Sequence, residues 1–250
     1  MEKVPFTFFE RYVPGVTHDN LHVVTAAFVV FLLAAGSVLV YPRLKKARAC
    51  VVPDGRITPL SLLEIFLEML VGLCEEIIGP DGRKYFPFIG SIFFFIFISN
   101  LIGLVPGFLS ATGNWVTGAA VATISFLAFN YFGFREHGVK YLKHFMAPIS
   151  PGPMKSVVSF ILLLLPICLL QALFGVIEIM STVFRPMTLS IRLYANMLAD
   201  HEVISIFSHL VPWVIPILFM ILGVFVSFMQ AFIFTLLTTV YISGAVASEH

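Results

Sequence analysis

The sequence predicts an all-α polytopic membrane protein. Of its 250 residues, 59% are hydrophobic and only 12% are charged, whereas a soluble domain carries about 25% charged residues. The mean hydropathy is +0.98. The apolar residues are gathered into runs of about 20 residues or more, which at about 1.5 Å per residue cross a hydrocarbon core of about 30 Å. This composition excludes a water-soluble enzyme. It also excludes a disordered chain, which needs low hydrophobicity and high charge. The net charge of +1 points to no charged partner, and no basic patch stands clear of the membrane to bind nucleic acid.

The whole chain, 1–250, reads as a single membrane domain with about five crossings and one amphipathic surface helix. Residues 1–20 form a mixed polar and aromatic outer segment without a signal-peptide pattern. Residues 21–41 form a first span, ended by Pro42 and the basic run Arg43, Lys45, Lys46 and Arg48. In 58–79, Glu64, Glu68, Glu75 and Glu76 interrupt the apolar positions, so this stretch is expected to lie along the surface. Residues 86–134 form a helical hairpin. Its first arm, Phe86 to Val105, stops at Pro106-Gly107; its second starts at Trp115, an interfacial anchor, and runs to Phe134. A polar connection over 135–155 contains Pro148, Pro151 and Pro153. Within 156–247 lie two apolar segments, 156–200 and 210–247, each longer than one crossing requires. They are expected to be long and strongly tilted, with bends at Pro166, Pro186 and Pro216.

Basic residues give the orientation. Seven lie in 42–85 and four in 135–155, whereas the other side holds only Lys3 and Arg11. The positive-inside rule then puts the N-terminus outside and, after an odd number of crossings, the C-terminus in the cytoplasm. There is no internal repeat of the kind that builds many secondary transporters.

Several chemistries find no motif here. Cys50, Cys74 and Cys168 are widely separated and read as small apolar residues. There is no G-x-x-x-x-G-K-[ST] loop for a nucleotide. His201-Glu202 opens like H-E-x-x-H, but Ser205 occupies the second histidine position. No metal, cofactor or catalytic residue is expected. His18, His22, His137, His144 and His209 read as loop or interface residues, and the phenylalanines as lipid-facing or packed bulk.

Polar residues inside the apolar sequence carry the functional signal, because a charge at the centre of a membrane helix costs about 2.5–3.5 kcal/mol on insertion scales. On one helix, Glu178, Ser181, Arg185, Thr188, Arg192, Asn196 and Asp200 follow at steps of 3, 4, 3, 4, 4 and 4, which places them on one face. The last segment adds Ser227 and Gln230, and the second span adds Asn100. Glu178 precedes Arg192 by 14 residues, roughly 21 Å along a helix. Asp200 and His201 lie beyond it toward the outside. Titratable groups thus flank an arginine that stays protonated. Two half-paths divided by a fixed cation would pass protons only by way of a moving carrier. The alternative is structural: Arg192 pairs with Asp200 or Glu178, Arg185 snorkels to the interface, His201 and Glu202 sit in an interfacial loop, and Asn100 and Gln230 hydrogen-bond between helices.

The segment Ser190-Ile191-Arg192-Leu193-Tyr194-Ala195-Asn196-Met197-Leu198-Ala199-Asp200-His201-Glu202 closely resembles the signature of subunit a of F-type ATP synthases. Ser99-Asn100-Leu101-Ile102-Gly103-Leu104-Val105-Pro106-Gly107, Phe184-Arg185-Pro186, and Gln230 through Tyr241 resemble further segments of that family, in the same order. The resemblance covers about residue 20 to the C-terminus. It implies the stator half of a proton turbine, packed against a rotating ring of c subunits, held by peripheral-stalk b subunits and assembled with the remaining ATP synthase subunits in the bilayer. The chain itself would be non-catalytic. Arg192 would face the ring's carboxylate and prevent a proton short-circuit, with Asn196 and Gln230 beside it. Glu178 and Ser181 would line the cytoplasmic half-channel, and Asp200 and His201 the outer one. Asn100 and Glu202 complete the candidate set. Some bacterial members have Gly-Glu at the Asp200-His201 positions and a histidine at the position of Gly223. Here the titratable set is redistributed. A bacterial inner membrane is the expected location, an organelle inner membrane the alternative. The competing functional reading is an independent ion channel or secondary transporter.

Overall fold

The computed structural model describes residues 20–47, 59–105, 108, 110–138, 173, 176–177, 180, 184–199, 202–203, 206 and 214–246. Six helices carry the described fold, and no strand occurs among the described residues. They are α1 (Leu21–Ala47), α2 (Pro59–Ile78), α3 (Phe86–Leu104), α4 (Trp115–His137), α5 (184–199) and α6 (Val214–Val246). Among the described residues, four stretches are long and apolar enough to cross a membrane: Leu21–Pro42, Phe86–Leu104, Trp115–His137 and Ile217–Val246. The fifth predicted crossing falls on 156–200, of which α5 is the continuous described part.

Local sequence explains the boundaries. The apolar stretch of α1 ends at Pro42 as read, but the helix itself continues through Pro42 to Ala47. Proline removes one N–H and crowds the carbonyl four residues back. That cost is smallest where the helix leaves hydrocarbon and a freed carbonyl meets polar surroundings. At α3, Pro87 occupies the first turn, where a missing N–H is harmless. At the other end Val105 is extended (φ −78°, ψ 121°), as a residue before proline prefers. Asn114 caps α4, its Oδ1 accepting from the Val116 N–H at 2.9 Å. Between α2 and α3 a 3₁₀ turn, Pro80–Lys84, folds back on α2. A Cβ at Gly82 would sit 2.3 Å from the Cys74 carbonyl oxygen, so only glycine allows that approach.

Helix α2 has the amphipathic character read from its glutamates. Leu70 and Cys74 are buried one turn apart, while Glu64, Glu68 and Glu76 are exposed. Arg83 pairs with Glu75, and Lys84 lies 3.6 Å from Glu136 at the end of α4. Both pairs are on the surface, where such contacts contribute little.

The larger of two buried clusters among the described residues is shared by five helices. Leu70 of α2, Phe93 and Ile96 of α3, Ala122 of α4, Leu189 and Leu193 of α5, and Phe234 of α6 meet there. Phe66, Phe93, Phe97 and Phe228 stack and tilt at centroid distances of 5.7–6.2 Å, tying α2 and α6 to α3. In lipid the hydrophobic effect does not drive helices together, so close packing does. Glycines mark the closest approaches. The Gly118 Cβ position lies 3.4 Å from the Ser190 carbonyl oxygen, and Gly223 faces Leu104 at 2.5 Å. Among its described side chains, helix α1 buries only a narrow stripe, Leu21, Thr25 and Val29, and exposes Phe31, Val38 and Leu39. That exposed surface suits acyl chains.

Burial pushes the Cys74 thiol up to about 11, with Glu75 adding to the effect. The reactive thiolate is therefore scarce at neutral pH. In a chain carrying Cys50→Ser and Cys168→Ser, maleimide labelling of Cys74 at pH 8 is expected to run at least about tenfold slower than in the denatured chain. Equal rates would show that Cys74 is not packed between α2 and the bundle.

Candidate functional site

The predicted polar stripe rests on α5, where it separates two apolar faces. Leu189, Ser190, Leu193 and Met197 are buried in the bundle, while Phe184, Met187, Ile191 and Leu198 are exposed. Between these faces run the half-buried Arg185, Arg192 and Asn196. The period of 3.6 residues per turn produces this arrangement: Arg185, Arg192 and Asn196, at spacings of seven and four, fall on one line of the helix, with Leu189, Leu193 and Met197 turned to one side of it and Phe184, Ile191 and Leu198 to the other. The polar edge thus borders the bundle on one side and an unpartnered apolar surface on the other.

The structure joins two of the candidate residues directly. Asn196 Nδ2 donates to Gln230 Oε1 at 2.5 Å, linking α5 to α6. Gln230 is buried, and its Nε2 has no partner among the described residues. The hydroxyl of Ser227, one turn earlier on α6, is equally buried and unpartnered, as is that of Ser190 on α5. Such orphans are uncommon in a dry core, and a site of this polarity suits water. Among the described residues no hydrogen bond or ion pair engages Arg192. Its partially exposed guanidinium stands within a turn of Asn196.

Arg185 is placed differently from a freely snorkelling side chain. Its Cζ lies 4.8 Å from the Tyr241 ring centroid, within range for a cation–π contact. This contact pins the N-terminal end of the described stripe to the end of α6. Nearby, Ser243 Oγ donates to the Ile77 carbonyl at 2.8 Å, and His137 Nε2 lies 3.1 Å from the Val246 carbonyl oxygen. The last turns of α6 are therefore held by α2, α4 and α5.

Asn100 belongs to a second buried polar cluster. Thr112 Oγ1 lies 2.5 Å from Asn100 Oδ1, Ser110 Oγ lies 2.8 Å from Thr112 Oγ1, and Ser110 Oγ donates to the Ser99 carbonyl at 3.0 Å. All four residues are buried. Sequence reasoning singled out Asn100 but not its partners Ser99, Ser110 and Thr112. The 110–113 turn folds back onto α3 across 11 or 12 residues, a return that no helical period announces. Glu202 is exposed. Glu178, Ser181, Asp200 and His201 lie outside the described residues.

Comparison with known proteins agrees with this architecture. The family model described as ATP synthase A chain matches residues 23–243. A protein of Bdellovibrio bacteriovorus named ATP synthase subunit a is 38% identical over 241 residues, which covers 96% of this chain and 97% of that one. One of Syntrophotalea carbinolica named ATP synthase subunit a 1 is 39% identical over 259 residues, covering 98% and 99%. The Geobacter sulfurreducens ATP synthase subunit a is 39% identical over 192 residues, covering 75% and 76%.

The Asn196–Gln230 bond gives a structural test. Asn196→Leu or Gln230→Leu alone leaves a buried amide stranded, at an expected cost of about 1–3 kcal/mol. Removing both partners costs less than the two single changes together. Thermal unfolding of the parent, the two single variants and the double variant in detergent measures this, and strict additivity would show that the two amides do not interact.

Proposed function

The chain belongs to the ATP synthase A chain family, and from this we infer that it serves as the stator of the membrane sector, carrying protons to and from a rotating ring of c subunits. The supporting observation is Arg192: a guanidinium at the edge of an apolar helical face, with no anion beside it among the described residues. A charge in that position needs a counter-charge. A ring carboxylate passing the exposed face of α5 supplies one.

The proposed mechanism follows from sign and position. Arg192 cannot release its proton. Opposite an acidic side chain it favours the ionised form, because opposite charges within about 4–6 Å stabilise each other. A protonated carboxyl arriving from one side therefore loses its proton to a water-accessible half-channel before it passes the guanidinium. It is protonated again from the other half-channel. Glu178 and Ser181 are proposed for the cytoplasmic half-channel, and Asp200, His201 and Asn100 for the outer one, with Glu202 at its mouth. Asn196 and Gln230 flank the arginine, and the unpartnered Gln230 Nε2 and Ser227 hydroxyl provide donors for water there. The guanidinium keeps the half-channels separate, since a proton in transit is repelled by it. Peripheral-stalk b subunits hold the chain against torque, with the remaining ATP synthase subunits completing the complex.

The location proposed is a bacterial inner membrane, with the N-terminus outside and the C-terminus in the cytoplasm. The basic residues of 42–85 and 135–155 then face the cytoplasm.

In membranes carrying the assembled complex, Arg192→Ala is expected to lower proton-coupled ATP synthesis by at least about a hundredfold, whereas Asp200→Asn and His201→Ala slow it by smaller factors near tenfold. Retained coupled synthesis in Arg192→Ala would overturn the stator reading. Proton conduction by the purified chain alone in liposomes would instead support an independent channel.

A further inference from the structure

The buried cluster at the outer end of α3 contains more close contacts than hydroxyl hydrogens. The Ser99 carbonyl can only accept, so Ser110 must spend its one hydrogen there. Asn100 Oδ1 can only accept, so Thr112 must spend its one hydrogen there. Nothing is then left to lie between Ser110 Oγ and Thr112 Oγ1, which stand 2.8 Å apart. Two lone pairs facing each other at that distance in a buried site are unfavourable.

One rearrangement satisfies all three contacts without moving a heavy atom by more than an exchange of the amide's two ends. A half-turn of the Asn100 amide puts Nδ2 where Oδ1 stands, and the two orientations differ only in their hydrogen bonding. Nδ2 then donates to Thr112 Oγ1, Thr112 donates to Ser110 Oγ, and Ser110 donates to the Ser99 carbonyl. Three hydrogens serve three contacts, all running in one direction. Gly103 makes this chain possible. A Cβ there would lie 2.5 Å from Ser110 Cβ and 2.8 Å from Met197 Cε, so a side chain would push Ser110 off the Ser99 carbonyl.

We propose that Ser110 and Thr112 are positioning residues that lock the Asn100 amide nitrogen as the donor to Thr112, at the head of a relay ending on the Ser99 carbonyl, leaving its Oδ1 as a fixed acceptor on the outer proton path. This rests on the reading of Asn100 as a residue of that path. The chemical consequence is a matter of sign. A carbonyl oxygen attracts the hydrogens of water or of a hydrated proton, whereas an amide N–H directed into the same space repels them. The relay thus sets the polarity that a proton meets beside α3. The same stretch of α3 meets the helices that carry the rest of the path, since Gly103 lies against Met197 of α5 and Leu104 against Gly223 of α6.

The test is passive proton conductance through the assembled membrane sector in vesicles, with the amount of assembled complex measured in parallel. Thr112→Val keeps the shape and breaks the relay, and is expected to lower conductance about tenfold per complex. Thr112→Ser keeps the hydroxyl and is expected to restore it to within about twofold. Ser110→Ala breaks the relay at its other link and is expected to act like Thr112→Val, so it decides the matter should Thr112→Val not assemble. Conductance at the parent level in either relay-breaking variant overturns the proposal, as does a loss in assembled Thr112→Ser as large as in Thr112→Val. Arg192→Ala is run alongside. If it retains coupled synthesis, the stator reading fails; if it loses synthesis while the relay variants conduct normally, only the relay fails.

Discussion

A positive charge at the edge of an apolar helical face, with no anion beside it among the described residues, constrains everything around it. Arg192 cannot shed its proton at any physiological pH, and the described part of its own chain offers it no anion. A solitary structural arginine would be an expense of about 2.5–3.5 kcal/mol with nothing gained. A cation that waits for a carboxylate on a neighbouring, moving element makes sense of the same geometry. The surrounding fold can be understood as the means of holding that cation at the boundary between a packed bundle and an open apolar face.

The bundle does this without help from the hydrophobic effect, because lipid is as apolar as leucine. The phenylalanine stack of Phe66, Phe93, Phe97 and Phe228 ties α2, α3 and α6 together. Glycines at 118 and 223 bring α4 to α5 and α6 to α3. The Asn196–Gln230 bond sets α5 against α6 at the level of the arginine, and the Arg185–Tyr241 contact repeats the link two turns away. The described part of α5 is thereby fixed at both ends, at Arg185 and at Asn196. Its exposed residues, Phe184, Met187, Ile191 and Leu198, remain a smooth surface past which another helix could slide.

Much of this was legible in the sequence because helices in membranes obey simple periods. The spans appear as apolar runs, with observed limits for α3 and α4 within a few residues of those read from Pro106 and Trp115. Helix α1 differed, since its run of hydrogen bonds outlasts its apolar stretch and passes through Pro42. The stripe of Arg185, Arg192 and Asn196 followed from spacings of three and four alone. The Asn196–Gln230 contact was not legible as a contact, since 34 residues separate the two and packing alone brings them together. The Ser99–Ser110–Thr112–Asn100 cluster was invisible for a related reason. Serine and threonine are common in loops, and only the return of the 110–113 turn onto α3 buries them.

The central claim concerns what stands opposite Arg192, and a structure of the assembled membrane sector measures it most directly. The expected result is a carboxylate of the ring within about 6 Å of the guanidinium at the closest point of rotation, with no acid of this chain nearer. An Arg192 paired with Asp200 or Glu178 of its own chain, with the ring's carboxylates passing some other face, would contradict it.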